Sequence, residues 1–101
     1  MKTPRKGKKG SPQARSSELR KYRVVLHNDQ EHTFDEVEAA LMEVLGLDVN
    51  AATDLAIETH LFGKRTVKVT HLEFAELISE RLQAEGLAVT VEPEEEGGKE
   101  Q

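Results

Sequence analysis

The chain has no cysteine and no tryptophan, three prolines, and only four aromatic residues (Tyr22, Phe34, Phe62 and Phe74). Each shortage excludes something. Without cysteine there is no disulfide framework, no thiol nucleophile and no zinc–thiolate site, and a reducing compartment is compatible with that. Few aromatics imply a small core and modest stability. No apolar run reaches membrane-spanning length, and Met1 to Ser17 lacks the apolar segment of a secretory signal. A soluble cytoplasmic protein with no membrane role is therefore expected. There is no glycine-rich phosphate loop, and no pair of histidines has the i, i+4 spacing of a helical zinc site. No cofactor and no metal are expected.

What is present is one small domain's worth of chain, 101 residues. Its charge is unevenly spread. Residues 1–23 carry nine basic side chains (Lys2, Arg5, Lys6, Lys8, Lys9, Arg15, Arg20, Lys21, Arg23) against one acid, Glu18. Residues 24–91 carry four basic side chains (Lys64, Arg65, Lys68, Arg81) against thirteen acids. The net charge of −5 is thus a basic arm on an acidic body. An acidic body repels phosphate, so a nucleic-acid role would have to reside in the arm. An arm of this composition is more often a weakly interacting tail than a sequence reader, and no nucleic-acid partner is expected. Residues 1–20, rich in Lys, Gly, Ser and Pro, have almost nothing to bury and are expected to be disordered. Residues 94–101 (EEEGGKEQ) are expected to form a disordered acidic tail. The folded domain is then 21–93.

Within it, Tyr22 to His27 alternates like a strand, with Tyr22, Val24 and Leu26 on one face and Val25 on the other. Asn28 to His32 is a polar loop. Thr33-Phe-Asp-Glu36 reads as a capping box, and Phe34, Val37, Leu41, Val44 and Leu45 follow at helical spacing up to Gly46. Asp48 caps a second helix with a thin stripe of Ala52, Leu55, Ala56 and Thr59, stopped by Gly63. Arg65 to Val69 reads as a second strand. Thr70-His-Leu-Glu73 reads as a second capping box, opening a third helix through Ala75, Ile78 and Leu82 to Gly86. Leu87 to Val91 is a third strand, closed by Pro93. The order β-α-α-β-α-β predicts a small two-layer α+β domain with the helices on one face.

Chemistry-bearing residues are few. Ser11, Ser16 and Ser17 lie in the arm and Ser79 lies mid-helix, so no nucleophile is evident. Asp35 and Glu36 are explained by the preference for acids at a helix start. An enzyme is not expected. Asn28, Asp29 and His60 are the most informative polar residues. A carboxamide, a carboxylate and an imidazole brought together would suit a small cation such as a free α-amino group. Pattern alone favours turn chemistry for Asn28-Asp29 and a dipole-stabilised helix-end position for His60 over a site. His27, His32 and His71 read as exposed loop or strand-end residues.

Taken in order, these residues resemble a known family. Asn28-Asp29 after a strand is followed by Thr33-Phe34 with Val37 and Leu41, then Asp48-Val49 with Ala52-Thr53 and Leu55. His60 with Gly63, Glu73 with Ala75-Glu76, Gly86-Leu87, and Thr90-Val91-Glu92-Pro93 complete the pattern. The domain resembles ClpS, the adaptor of the Clp ATP-dependent protease, over nearly all of 21–93. The resemblance implies three antiparallel strands against three helices. It also implies a non-catalytic adaptor that binds proteins by a bulky hydrophobic N-terminal residue and delivers them to a ClpA-like or ClpC-like unfoldase. By position, Asn28, Asp29 and His60 would hold the substrate's α-amino group. Phe34, Val37, Ala56, Thr59 and Leu87 would wall the side-chain pocket, with Gln30 and His32 beside the peptide. Glu73 would face the N-terminal domain of the unfoldase, and the arm would serve delivery. A monomer is expected.

The chain departs from the family pattern in places. Gln30 stands where Asp is frequent, Phe34 and Ala56 where Met is frequent, and Thr59 where an aliphatic residue is frequent. Ile78 stands where some members carry a Lys facing the unfoldase. Two alternatives remain at this stage: an unfoldase modulator that no longer reads N-termini, and a docking domain like that of the bacterial ribosomal stalk protein.

Overall fold

The computed structural model describes residues 20–94. The arm and the acidic tail expected from the sequence lie outside these residues, apart from Arg20 and Glu94. The Glu94 N–H donates to the Lys21 carbonyl at 2.9 Å, which extends the domain one residue past Pro93.

The elements run β1 (Tyr22–His27), α1 (Phe34–Leu45), α2 (Val49–Phe62), β2 (Lys64–Thr70), α3 (Leu72–Ala84) and β3 (Ala88–Pro93). The three strands form one antiparallel sheet in the order β2-β1-β3. The α+β architecture of three strands against three helices is as the sequence predicts. β1 is the central strand, and its neighbours satisfy its backbone groups on both edges. That allows Val24 and Leu26 to be almost wholly buried. They meet Leu41 of α1, Ala52 of α2, Ile78 and Leu82 of α3, and Val89 of β3 in one core. The small residues Ala40, Ala52 and Ala75 belong to this core, and Tyr22 is the aromatic packed against it, while Phe34, Phe62 and Phe74 are exposed.

The local signals explain the helix ends. Thr33 accepts from the Glu36 N–H while the Glu36 carboxylate accepts from the Thr33 N–H, at 3.1 and 2.9 Å, closing the capping box. Asp48 caps α2 by accepting from the Ala51 N–H at 2.8 Å. Thr53 donates to Glu38, tying α2 to α1.

Three expectations are corrected. The third helix is capped by His71, whose ring nitrogen accepts from the Phe74 N–H at 3.4 Å. Thr70 is instead the last residue of β2, held in register opposite Tyr22, so no Thr70–Glu73 capping box forms. Val25, read on the face opposite Val24 and Leu26, is buried as well, and the β1–β2 register shifts between Val24 and Val25. Ile78 is 3% exposed and part of the core, so it cannot be the surface position that carries an unfoldase-facing Lys.

This core makes a direct prediction. Leu41→Ala should cost about 2–5 kcal/mol, the range for a fully buried leucine. Thr33→Ala should cost about 1 kcal/mol, the worth of a cap. Urea denaturation of both variants checks the ranking.

Candidate functional site

Antiparallel pairing decides where the site forms. At the end of β1, His27 lies opposite Lys64, the first residue of β2, and opposite Ala88, the first of β3. The end of α2 and the end of α3 therefore arrive at the same sheet edge as the loop that leaves β1. Residues 28, 60 and 87, far apart in sequence, become neighbours.

The loop is stitched in place. The Asn28 N–H donates to the Gly63 carbonyl at 2.9 Å. Asp29 then folds back on its own loop. Its Oδ1 accepts the backbone N–H groups of Glu31 and His32, each at 2.9 Å. The turn chemistry expected of this position is thus realised. The His32 ring adds a third partner, with Nδ1 at 3.3 Å from Oδ1 and 3.2 Å from Oδ2. Partial burial pushes the Asp29 carboxyl up. The His32 and Glu31 amides and the His32 ring more than offset this, so it stays below the usual aspartate value. His32 moves the other way. Its hydrogen bond to Asp29 raises it, partial burial opposes this, and the charges of Asp29 and Glu36 and the Glu85 carbonyl raise it further. His32 is therefore not the exposed loop residue that the sequence suggests. It is partly buried and paired.

From α2 come Ala56 and Thr59, both buried, and exposed His60 in the last turn. The Thr59 hydroxyl donates to the Leu55 carbonyl at 2.8 Å, so its polar atom is satisfied within the helix. From the turn after α3 comes Leu87, 4% exposed.

These pieces surround a cavity of about 350 Å³, near the lower end of the range for small-molecule pockets. Asn28, Asp29, Gln30 and His32 line it from the loop, and Phe34 and Val37 from α1. Ala56, Thr59 and His60 line it from α2, and Leu87 from the turn before β3. Glu73 lies elsewhere, exposed in the first turn of α3. Two lining residues, Leu26 and His27, were not anticipated as site residues. Leu26 continues the inward face of Tyr22 and Val24 and was read only as core. His27 directly precedes Asn28, and its ring pairs with Thr90 Oγ1 at 2.8 Å. Burial is graded across the cavity. Leu26, Ala56, Thr59 and Leu87 are buried, whereas Asn28, Gln30 and His60 are exposed. The floor is apolar and the mouth is polar, with one acid, Asp29. Among the described residues no group of three or more His, Asp or Glu could hold a metal ion, and no helix is long and apolar enough to cross a membrane.

The fold and the pocket define a small α+β domain with a cavity of apolar floor and polar mouth. Comparison with known proteins narrows this class. Residues 17–90 match the family model described as ATP-dependent Clp protease adaptor protein ClpS. The chain is 34% identical over 76 residues to the ClpS adapter of Synechococcus elongatus, covering 74% of this chain and 80% of that one. It is 36% identical over 74 residues to the chloroplastic CLPS1 adapter of Arabidopsis thaliana, covering 72% of this chain and 46% of the other. The solved structure of Agrobacterium tumefaciens ClpS2 bound to L-phenylalaninamide superposes with a TM-score of 0.72 at 26% identity, over 74% of this chain and 98% of that one. The chain belongs to the ClpS family of Clp protease adaptors.

The Asp29–His32 pair predicts a pH window for stability. Asp29 is shifted below its ordinary 3.8, so its contribution is present above about that pH and is lost on acidification through the lower folded value. His32 is shifted above its ordinary 6.5, so its contribution is complete below 6.5 and is lost as pH rises through the higher folded value. His32→Ala should therefore destabilise most between those two values and progressively less in alkaline solution. Denaturation midpoints of both proteins at pH 5.5 and 8.5 check the sign.

Proposed function

We propose that this adaptor recognises proteins by a free α-amino group together with a bulky apolar first side chain, and delivers them to a Clp unfoldase. The observation that carries this reading is the convergence of Asn28, Asp29 and His60 at the mouth of a cavity whose floor is buried and apolar. A free α-amino group has a pKa near 7.7–8.0 and is mostly protonated at neutral pH. Its three donors match an Asn28 carbonyl oxygen, the Asp29 carboxylate and an unprotonated His60 ring nitrogen. Asp29 Oδ1 already serves two amides, but among the described residues Oδ2 has only the His32 ring within hydrogen-bond range and keeps capacity for the ammonium. Beyond the mouth, burying a Leu- or Phe-sized side chain contributes about 1.5–3 kcal/mol.

The remaining roles follow from position. Phe34 and Val37 narrow the entrance, while Ala56, Thr59 and Leu87 wall the floor. Gln30 and His32 flank the peptide beyond its first residue. Thr59 acts as an aliphatic wall, because its hydroxyl is bonded to Leu55. Exposed Glu73 belongs to the surface that meets the N-terminal domain of a ClpA-like or ClpC-like unfoldase, in the cytoplasm. The Agrobacterium relative was solved with L-phenylalaninamide, a molecule with a free α-amino group and a benzyl side chain, which supports the same ligand class here.

Fluorescence anisotropy with peptides differing only in their first residue tests the proposal. Phe, Trp, Tyr and Leu peptides should bind, with Val and Ile excluded at the entrance. N-acetylation of the Phe peptide, or Asp29→Ala, should weaken binding roughly tenfold or more, because a charged hydrogen bond is lost. Equal binding of all peptides would leave an unfoldase modulator that does not read N-termini. Ala56→Met should fill part of the floor and penalise Trp more than Leu. Unchanged preference would remove position 56 from the pocket wall.

A further inference from the structure

His32 meets two separate walls of the cavity. On one side its Nδ1 meets both carboxylate oxygens of Asp29, at 3.3 and 3.2 Å. On the other side its Nε2 lies against Gly86. A Cβ built at Gly86 would sit 2.8 Å from Nε2, closer than real Cβ atoms approach, and 3.2 Å from Cε1, a tight contact. Gly86 also has φ +90°, a conformation that favours glycine. Only glycine thus satisfies both the backbone and the ring. The next residue, Leu87, is a wall of the cavity.

We propose that His32 is the positioning residue of the binding site, a strut that ties the Asp29 loop to the Gly86–Leu87 turn and shares the Asp29 carboxylate with the incoming ammonium. The second half of this inference rests on the N-terminal reading above, whereas the first half does not. The groups facing the ring are the Asp29 carboxylate on its own loop, Glu36 at the start of α1, and the Glu85 carbonyl at the end of α3. His60 reaches the same cavity from α2. Protonating His32 strengthens its hold on Asp29 and sets a second positive charge beside the ligand's. Stability and affinity then move in opposite directions. At acid pH the loop is better anchored and the ammonium is less well bound. A His60 effect alone would change affinity without touching the loop.

Two measurements test this on the full chain. First, the His32 ring is titrated by NMR in the free protein and in Asp29→Asn. It should titrate above an ordinary histidine and return toward the ordinary value in the variant. A ring that titrates as an ordinary exposed histidine in the wild type overturns the strut. Second, the Kd of a Phe-initiated peptide is measured at pH 7.5 and 5.5 for the wild type, His32→Asn and His32→Ala. Asn sets an amide N–H close to where Nδ1 stands but cannot gain a proton. Its affinity at pH 7.5 should lie between those of the wild type and His32→Ala, and its loss on acidification should be smaller than the wild type's by roughly five- to tenfold, the scale of one nearby like charge at a solvated site. His32→Ala should weaken binding at both pH values. Equal pH 5.5 to 7.5 ratios in the wild type and His32→Asn overturn the shared carboxylate. A chain that binds no peptide at either pH overturns the N-terminal reading and the shared carboxylate with it, and the strut is then decided by the ring titration.

Discussion

The double pairing of β1 is the constraint on which the rest of the structure depends. A central strand has both edges satisfied, so Val24 and Leu26 can be withdrawn from water without stranding backbone groups. The helices pack on those two side chains. Because both neighbouring strands run antiparallel to β1, its end meets the beginnings of both. The chain must therefore deliver the ends of α2 and α3 to the place where β1 gives way to its polar loop. The pocket is a consequence of strand direction before it is a matter of side chains.

Within that frame, Asp29 serves two purposes. Its Oδ1 closes the loop on two backbone amides, and among the described residues the same carboxylate is the one acid lining the cavity. The two are compatible because a carboxylate accepts several hydrogen bonds and the loop amides occupy a single oxygen. They also explain why a charged group can sit partly buried at the mouth with no arginine or lysine partner among the described residues. The amides and the His32 ring hold it ionised in a body that carries few basic side chains.

The departures from the family pattern become easier to weigh in three dimensions. Thr59 looks polar in the sequence, yet its hydroxyl is bonded within the helix, so what remains for the cavity is close to an aliphatic surface. Ala56 is buried at the floor while Phe34 is 41% exposed at the entrance. Bulk has thus been removed below and an aromatic ring placed above. Ile78, by contrast, has left the surface altogether and belongs to the core.

Much of the domain was legible in the sequence because its signals are local. Apolar spacing, the Thr33–Glu36 box, the Asp48 cap and the glycines at 46 and 63 each act within a few residues, and they set the element order and the helix ends. The Thr70 box failed for a non-local reason. Strand pairing with Tyr22 held Thr70 in β2 and passed the cap to His71. The site was legible in part. Resemblance assembled the residues that the cavity gathers, but the residues themselves left Asn28, Asp29 and His60 open between turn chemistry and binding. His32 was invisible as a structural element, because its partners are a carboxylate three residues away and a backbone turn more than fifty residues on. Composition and spacing determined which segments form helices and strands, since those depend on neighbours in the chain. Only the tertiary structure decided that the mouth is polar, that the floor is apolar and that one imidazole bridges two walls, since these depend on which strand ends meet.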